Sequence, residues 1–206
     1  MTPIIEVNKE TLKTLNPKVY TLRGDLEQKN YIHVPKLNLD ISKQRFGFNK
    51  NWDEAHEVAK EQGGRMLTLP EFREFLIYTR DNDKELFNEI TEVRSPWRVE
   101  WIDAYFEQRK DGLYMLTNNK ANAEKINGGL MEDRTPGIDL TNWLNNSTKQ
   151  GLPQKNIKKG NLWYFHPRDG RVAGFVAGSV VAGLDCDRGP SYGDSSLGVR
   201  VAKQHE

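Results

Sequence analysis

The chain has 206 residues, 36% hydrophobic and 29% charged, which is the length and balance of a globular domain that buries a core without staples. A formal net charge of +1 and a single cysteine, Cys186, give no support to a general attraction for nucleic acid or anionic membrane and rule out an intrachain disulfide. No apolar run approaches the roughly 18 residues of a bilayer-spanning helix. The start, Met1-Thr-Pro-Ile-Ile-Glu, lacks the basic and apolar regions of a signal peptide, so the expected setting is the cytoplasm or a virion.

Residues 1–47 read as an N-terminal extension, or as strands packed on the domain C-terminal to them. Val19-Tyr-Thr-Leu and Tyr31-Ile-His-Val alternate weakly as short strands, on either side of a charged turn at Gly24-Asp25. A helix is predicted next. Asn51 is a good N-cap, and Glu54, three residues on, makes an Asn variant of the capping box. Trp52, Ala55, His56 and Ala59 recur on one face, and Gly63-Gly64 stops the helix. Thr68 opens a second helix, with Pro70 in its first turn and Glu71 completing another box; Phe72, Phe75, Leu76 and Thr79 mark its buried face.

Strands come next. Trp97-Arg-Val-Glu-Trp-Ile-Asp-Ala-Tyr-Phe and Leu113-Tyr-Met-Leu-Thr flank Lys110-Asp111-Gly112, and Asp-Gly between such runs signals a hairpin. Residues 118–160, rich in Asn, Gly, Lys and Pro, read as irregular surface structure with little core of its own, either functional or held by docking on the rest. Leu162-Trp-Tyr-Phe precedes a Gly-rich stretch, and Leu197-Gly-Val-Arg-Val-Ala reads as one final strand. Two early helices, then short strands and long irregular connections, give the class α+β.

Residues 165–202 break with the rest in composition. The chain holds 17 Lys, 16 Glu and 7 Gln, and none of these 40 falls among those 38 residues; about nine would at the density of the other 168 residues. The 17 Asn also lie elsewhere, and the segment has no Met, Trp, Thr or Ile. A buried Gly- and Ala-rich strand region would exclude Lys and Glu anyway. However, Asp185-Cys-Asp-Arg-Gly-Pro-Ser-Tyr-Gly-Asp-Ser-Ser is polar and turn-prone, is expected at the surface, and still excludes them.

Arg171-Val-Ala-Gly-Phe-Val-Ala-Gly-Ser-Val-Val-Ala-Gly-Leu-Asp-Cys-Asp-Arg-Gly-Pro-Ser, closing with Leu197-Gly-Val-Arg, resembles the variable region of diversity-generating retroelement target proteins. These belong to the formylglycine-generating-enzyme branch of the C-type lectin fold. Upstream, Trp52-Asp-Glu-Ala and Gly63-Gly-Arg-Met-Leu-Thr-Leu-Pro-Glu-Phe look, more loosely, like that fold's opening. The resemblance covers about residues 48–202, leaves residues 1–47 unmatched, and implies a C-type-lectin-like domain over 48–206 with short antiparallel strands. It also implies that template adenines are randomised, turning AAC codons into any codon ending in C. Such codons never encode Lys, Glu, Gln, Met or Trp, which is the exclusion seen here.

Within the segment two classes separate. Val172, Ala173, Phe175, Ala177, Ala182, Leu184, Leu197, Val199 and Val201 are apolar at strand spacing. Pro190 fixes a turn, and Gly183 and Gly198 serve the backbone. These read as scaffold. Gly174, Val176, Gly178, Val180, Val181, Asp185, Arg188, Gly189, Tyr192, Gly193, Asp194 and Ser196 have mixed chemistry with no packing logic and read as the displayed ligand-binding surface. Any one of them alone is an ordinary loop residue, and Val180-Val181 alone reads as core. Tyr192 and Arg188 are the expected anchors; many of the rest are Gly or Val, which makes for a weak binder.

Other chemistry finds little support. Formylglycine generation, as the resemblance implies it, needs a cysteine pair, and Cys186 is alone; it reads as a structural thiol. His33, His56, His166 and His205 show no ligand spacing. Neither a Glu-Pro-Asn nor a Gln-Pro-Asp triplet for calcium-dependent sugar binding occurs, although Asp185, Asp187 and Asp194 are conceivable calcium ligands. No phosphate-binding loop is present. The expectation is therefore a non-enzymatic binding protein with no cofactor, no metal and no nucleic-acid partner, directed at a protein or glycan surface. A virion assembly protein and a degenerate formylglycine-generating-type enzyme stand as alternatives.

Overall fold

The computed structural model describes residues 30–205; the predicted strand at residues 19–22 lies outside them. The described residues form an α+β unit with two sheets. Strands β1 (Tyr31–Val34) and β2 (Leu39–Ser42) form a hairpin, and β2 pairs with the C-terminal strand β12 (Val201–Gln204), which pairs in turn with the short β3 (Arg65–Met66). Residues 30–47 are thus stitched to the end of the chain.

Helix α1 (Trp52–Glu61) starts as predicted. The Asn51 side chain accepts from Glu54 N–H at 2.9 Å, and Glu54 accepts from Asn51 N–H at 3.0 Å. Trp52, Ala55 and Ala59 are its buried stripe, and Gly63 takes φ +75° just past the C-cap. Gly64 is a close-approach position, since a Cβ there would lie 2.5 Å from the Ala202 carbonyl oxygen. Helix α2 (Leu69–Asn82) opens with Glu71 accepting from both Thr68 N–H and hydroxyl at 2.9 Å, and Phe72, Phe75, Leu76 and Thr79 are buried.

A third helix, α3 (Lys84–Thr91), comes immediately after, capped by the Asp83 side chain accepting from Leu86 N–H. The expectation of two early helices is corrected accordingly. The large sheet begins beyond this helix. Its order is β6 (Asn122–Lys125), β5 (Gly112–Thr117), β4 (Arg98–Arg109), β9 (Arg171–Ala177), β10 (Ala182–Arg188), β8 (Leu162–Phe165) and β7 (Arg134–Ile138), and β11 (Leu197–Val199) also pairs with β4. The predicted hairpin is present, with Arg109 opposite Gly112, and β4 runs three residues further than expected.

The reading of residues 118–160 as irregular is also corrected. They hold β6, β7 and a short helix α4 (Leu140–Asn145), and Trp143, Leu144, Leu152 and Ile157 are buried in the larger core. The segment is held by docking: Trp143 Nε1 donates to the Gly151 carbonyl at 2.9 Å, and its ring stacks on Phe175 with centroids 6.4 Å apart. The single final strand becomes two. Arg200 sits between β11 and β12 with its side chain buried, so the chain passes there from one sheet to the other.

Both faces of the large sheet are covered. On one side Ala173, Phe175, Ala182, Leu184 and Cys186 join Phe72, Phe75 and Trp143; on the other Val99, Trp101, Val172, Leu197 and Val199 meet Trp52 and Ala55 of α1. The period of two along a strand explains this split of β9 between the two cores. Among the described residues no helix is long and apolar enough to cross a membrane.

Candidate ligand-binding surface

The residues predicted as scaffold are buried: Val172, Ala173, Phe175, Ala177, Leu184, Leu197, Val199 and Val201 are at most 1% exposed, and Ala182 is 7% exposed. Gly183 and Gly198 are buried as well. A Cβ on Gly183 would sit 2.7 Å from the Trp163 carbonyl oxygen, so the backbone contact between β10 and β8 needs glycine.

The residues predicted as displayed divide. Val180 is 83% exposed at the β9–β10 turn and Tyr192 is 55% exposed. Gly193 is exposed, and Val181, Asp185, Arg188, Gly189 and Asp194 are half-buried. Display of Gly174, Gly178 and Ser196 is corrected, because all three are buried. Gly174 lies under the Glu100 carbonyl and the Arg188 stem, and Gly178 under Val181 and Trp97. Ser196 turns inward to Asp194, donating from its N–H at 2.7 Å and its hydroxyl at 2.5 Å. Val176, half-buried, packs against the smaller core and is partly scaffold.

A β-bulge arranges the centre of this surface. Between Asp185, opposite Gly174, and Arg188, opposite Val172, β10 carries one residue more than β9. The extra residue puts positions 185 and 188 on the same face. Arg188 Nε therefore faces Asp185 Oδ2 at 3.3 Å, though without an aligned hydrogen bond. Burial raises the Asp185 carboxyl above its usual range, against the opposing pull of the Arg188 charge. The Arg188 guanidinium carbon lies 5.9 Å from the ring centroids of both Trp101 and Tyr192, within cation–π range. Of the two expected anchors, Tyr192 is open to solvent and Arg188 is clamped beneath it.

The loop after β10 is fastened to the start of α1: Trp52 N–H donates to the Pro190 carbonyl at 2.9 Å and Asn49 N–H to the Asp194 carbonyl at 3.1 Å. Partial burial opposes ionisation of Asp194, but hydrogen bonds from Ser196 and Leu197 and the Arg188 charge hold its carboxyl below the usual range. Asp185 and Asp194 are thus each engaged by arginine or backbone groups, and neither is free to act as a calcium ligand without giving these up.

Several neighbours were invisible to a composition test confined to residues 165–202. Trp97, 47% exposed, flanks the turn at Gly178. Trp163 and Phe165 pair with Gly183 and Asp185 and are half-buried on the same face. A cleft of about 260 Å³ lined by Arg45, Arg94, Pro96, Trp97, Arg98, Ser195 and Ser196 borders this end; three arginines and no carboxylate line it. Exposed tryptophan in a strand-flanking position was the one available signal for this rim.

Cys186 is fully buried, and burial, followed by the charges of Asp185, Asp133 and Asp187, pushes its thiol well above the usual range. A thiol held protonated in this way is not a nucleophile. His166 points Nδ1 at the Met131 carbonyl at 2.9 Å. No family model, curated protein or solved structure matches the chain.

Proposed function

We propose that the chain is a non-catalytic ligand-binding protein on a C-type-lectin-like scaffold, and that residues 165–202 are a variable region diversified by a retroelement. The carrying observation is an exclusion that survives exposure. Ser179, Val180, Ser191, Tyr192, Gly193 and Ser195 are exposed, yet no Lys, Glu or Gln occurs anywhere in residues 165–202. Burial accounts for such an absence only at buried positions. A codon rule acts on buried and exposed positions alike. The apolar scaffold positions are buried, whereas Val180, Tyr192 and Gly193 face solvent, and this adds support, because display of changing side chains requires packing that does not depend on them.

The ligand is a protein or glycan surface met by Tyr192, Val180 and the rim that includes Trp97. With so few large displayed side chains, this variant binds through a small number of anchors.

The genomic locus provides the test. A second, near-identical copy of the DNA encoding residues 165–202, differing from it at adenines and accompanied by a reverse transcriptase gene, is expected. Its codons should be adenine-bearing at Val180, Val181, Gly189, Tyr192 and Gly193 and unchanged at Phe175 and Leu184. A locus without such a copy overturns the reading.

A further inference from the structure

Two residues of one hairpin, His33 and Asp40, meet His205 from the far end of the sequence on the small sheet. His33 on β1 is paired directly with Asp40 on β2. His205, just past β12, is joined to the same hairpin by its N–H, which donates to the Asn38 carbonyl at 3.1 Å. His33 Nδ1 lies 3.2 Å from Asp40 Oδ1, and His205 Nδ1 lies 3.0 and 2.9 Å from the two Asp40 oxygens. The two imidazoles face each other with centroids 3.8 Å apart, and one donor atom from each of the three residues falls within 4.8 Å of the others. Alternation along the strands accounts for the meeting: Ile32, Val34, Leu39, Ile41 and Ala202 turn to the larger core, which sends His33, Asp40 and Lys203 to the opposite face.

We propose that His33, Asp40 and His205 form a binding site for a divalent transition-metal ion of the zinc class. Zinc sits about 2.0–2.2 Å from imidazole nitrogen and carboxylate oxygen, so ligand atoms in a tetrahedral shell lie about 3.3 Å apart. The separations around Asp40 are already close to this, and a small movement of the ligands admits the ion. Two nitrogens and one oxygen suit zinc, cobalt or nickel and do not suit calcium or magnesium, which prefer all-oxygen shells. Three protein ligands leave a position for water. Lys203, directly opposite Asp40 on β12, sends its ammonium over the Tyr31 ring at 4.6 Å, so among the described residues the carboxylate is left to the two imidazoles. A bound ion would take the place of the close imidazole–carboxylate contacts at Asp40. It would also tie the end of β12 to the β1–β2 hairpin and stabilise the fold by mass action.

The test is calorimetric titration of the full chain, stripped with a chelator, with Zn²⁺, followed by the absorption spectrum with Co²⁺ in its place. One Zn²⁺ per chain is expected at micromolar or tighter affinity, with a rise in melting temperature and visible Co²⁺ bands of a four- or five-coordinate site; Ca²⁺ at the same concentration should give none of these. His33→Ala and His205→Ala should each weaken Zn²⁺ binding at least tenfold, while His166→Ala leaves it intact. Circular dichroism checks that each variant folds, and His→Gln replaces an alanine variant that does not. Absence of stoichiometric Zn²⁺ binding by the parent chain, or weakening of less than tenfold in either ligand variant, overturns the proposal.

Discussion

His56 and Asp103 show what one residue's setting does to its chemistry. The sequence places His56 on the Trp52 face of α1, and there it packs edge-on against Trp52 at 4.3 Å. Its Nε2 lies 3.4 Å from Asp103 Oδ1. That approach is not legible locally, because Asp103 belongs to a bulge in β4 where four steps from Trp101 to Tyr105 oppose two on β9. Burial pushes the imidazole down to about 4, and it pushes the Asp103 carboxyl up to about 6 against hydrogen bonds from Asn118 and Asn119 N–H. The depressed histidine costs stability as pH falls from about 6.5 to about 4, because the unfolded chain takes up the proton first. The raised aspartate has the opposite sign, and its contribution is lost as pH rises from about 4 to about 6. In the shared window the two cancel. Asp103→Asn leaves only the histidine contribution. The variant's stability, measured by urea denaturation, should fall relative to the parent on acidification from pH 6.5 to 4.5, with a slope of up to about 1.4 kcal/mol per pH unit. A variant profile parallel to the parent's would show that the pair does not titrate in this way.

Helices opened by a full capping box were legible, and elements with a lone cap or held by distant partners were not. Helices α1 and α2 announce themselves with Asn51…Glu54 and Thr68…Glu71. Helix α3 was hidden because Asp83 both ends α2 and caps α3, so no break in pattern separates the two. Residues 118–160 hid a sizeable part of the core because Trp143, Leu152 and Ile157 follow no period; each is buried by what docks on it. The split of the last strand has an electrostatic cause. Arg200 Nε donates to both Glu100 oxygens at 3.0 Å, Nη1 donates to the Ser42 carbonyl, and Nη2 lies 3.1 Å from Glu89 Oε2. Arg98 is buried against the same two glutamates. Burial, with the neighbouring arginine charges added at Arg98, lowers Arg98 to about 9, and burial lowers Arg200 to about 10. Two guanidiniums this deeply placed depend on Glu100. Glu100→Gln should cost about 3–5 kcal/mol in chemical denaturation, since breaking a buried pair strands its charge. A loss below about 1 kcal/mol would mean that β4, α3 and the β11–β12 junction are not held together by this network.

At the scale of the whole molecule, the proposed variable region 165–202 would have two tasks that pull in different directions. Its inward residues fill both cores at once, since Phe175 packs against Phe72 at 5.6 Å while Val172 and Leu197 pack with Trp52 on the other side. The exposed members of its predicted displayed set, Val180, Tyr192 and Gly193, lie at the β9–β10 turn and in the loop after β10. The sequence revealed the apolar half through strand spacing. It misjudged Gly174, Gly178 and Ser196, because glycine and serine look alike whether they line a surface or make room for a neighbour. Separability is the physical requirement of a display scaffold, and it can be measured. Replacing Val180 and Tyr192 with serine trims two exposed side chains, and Gly193→Ser adds a small one at an exposed position. Exposed substitutions are each within about 0.5 kcal/mol and add when sites are apart, so the triple variant should keep its stability to within about 1.5 kcal/mol. Phe175→Ala, by contrast, opens a cavity between Phe72 and Trp143 and should cost about 3–5 kcal/mol. Urea unfolding of the two variants beside the parent decides the matter. If the triple variant loses as much as Phe175→Ala, the outward residues are part of the core's support, and this end of the protein is not built to carry changing side chains.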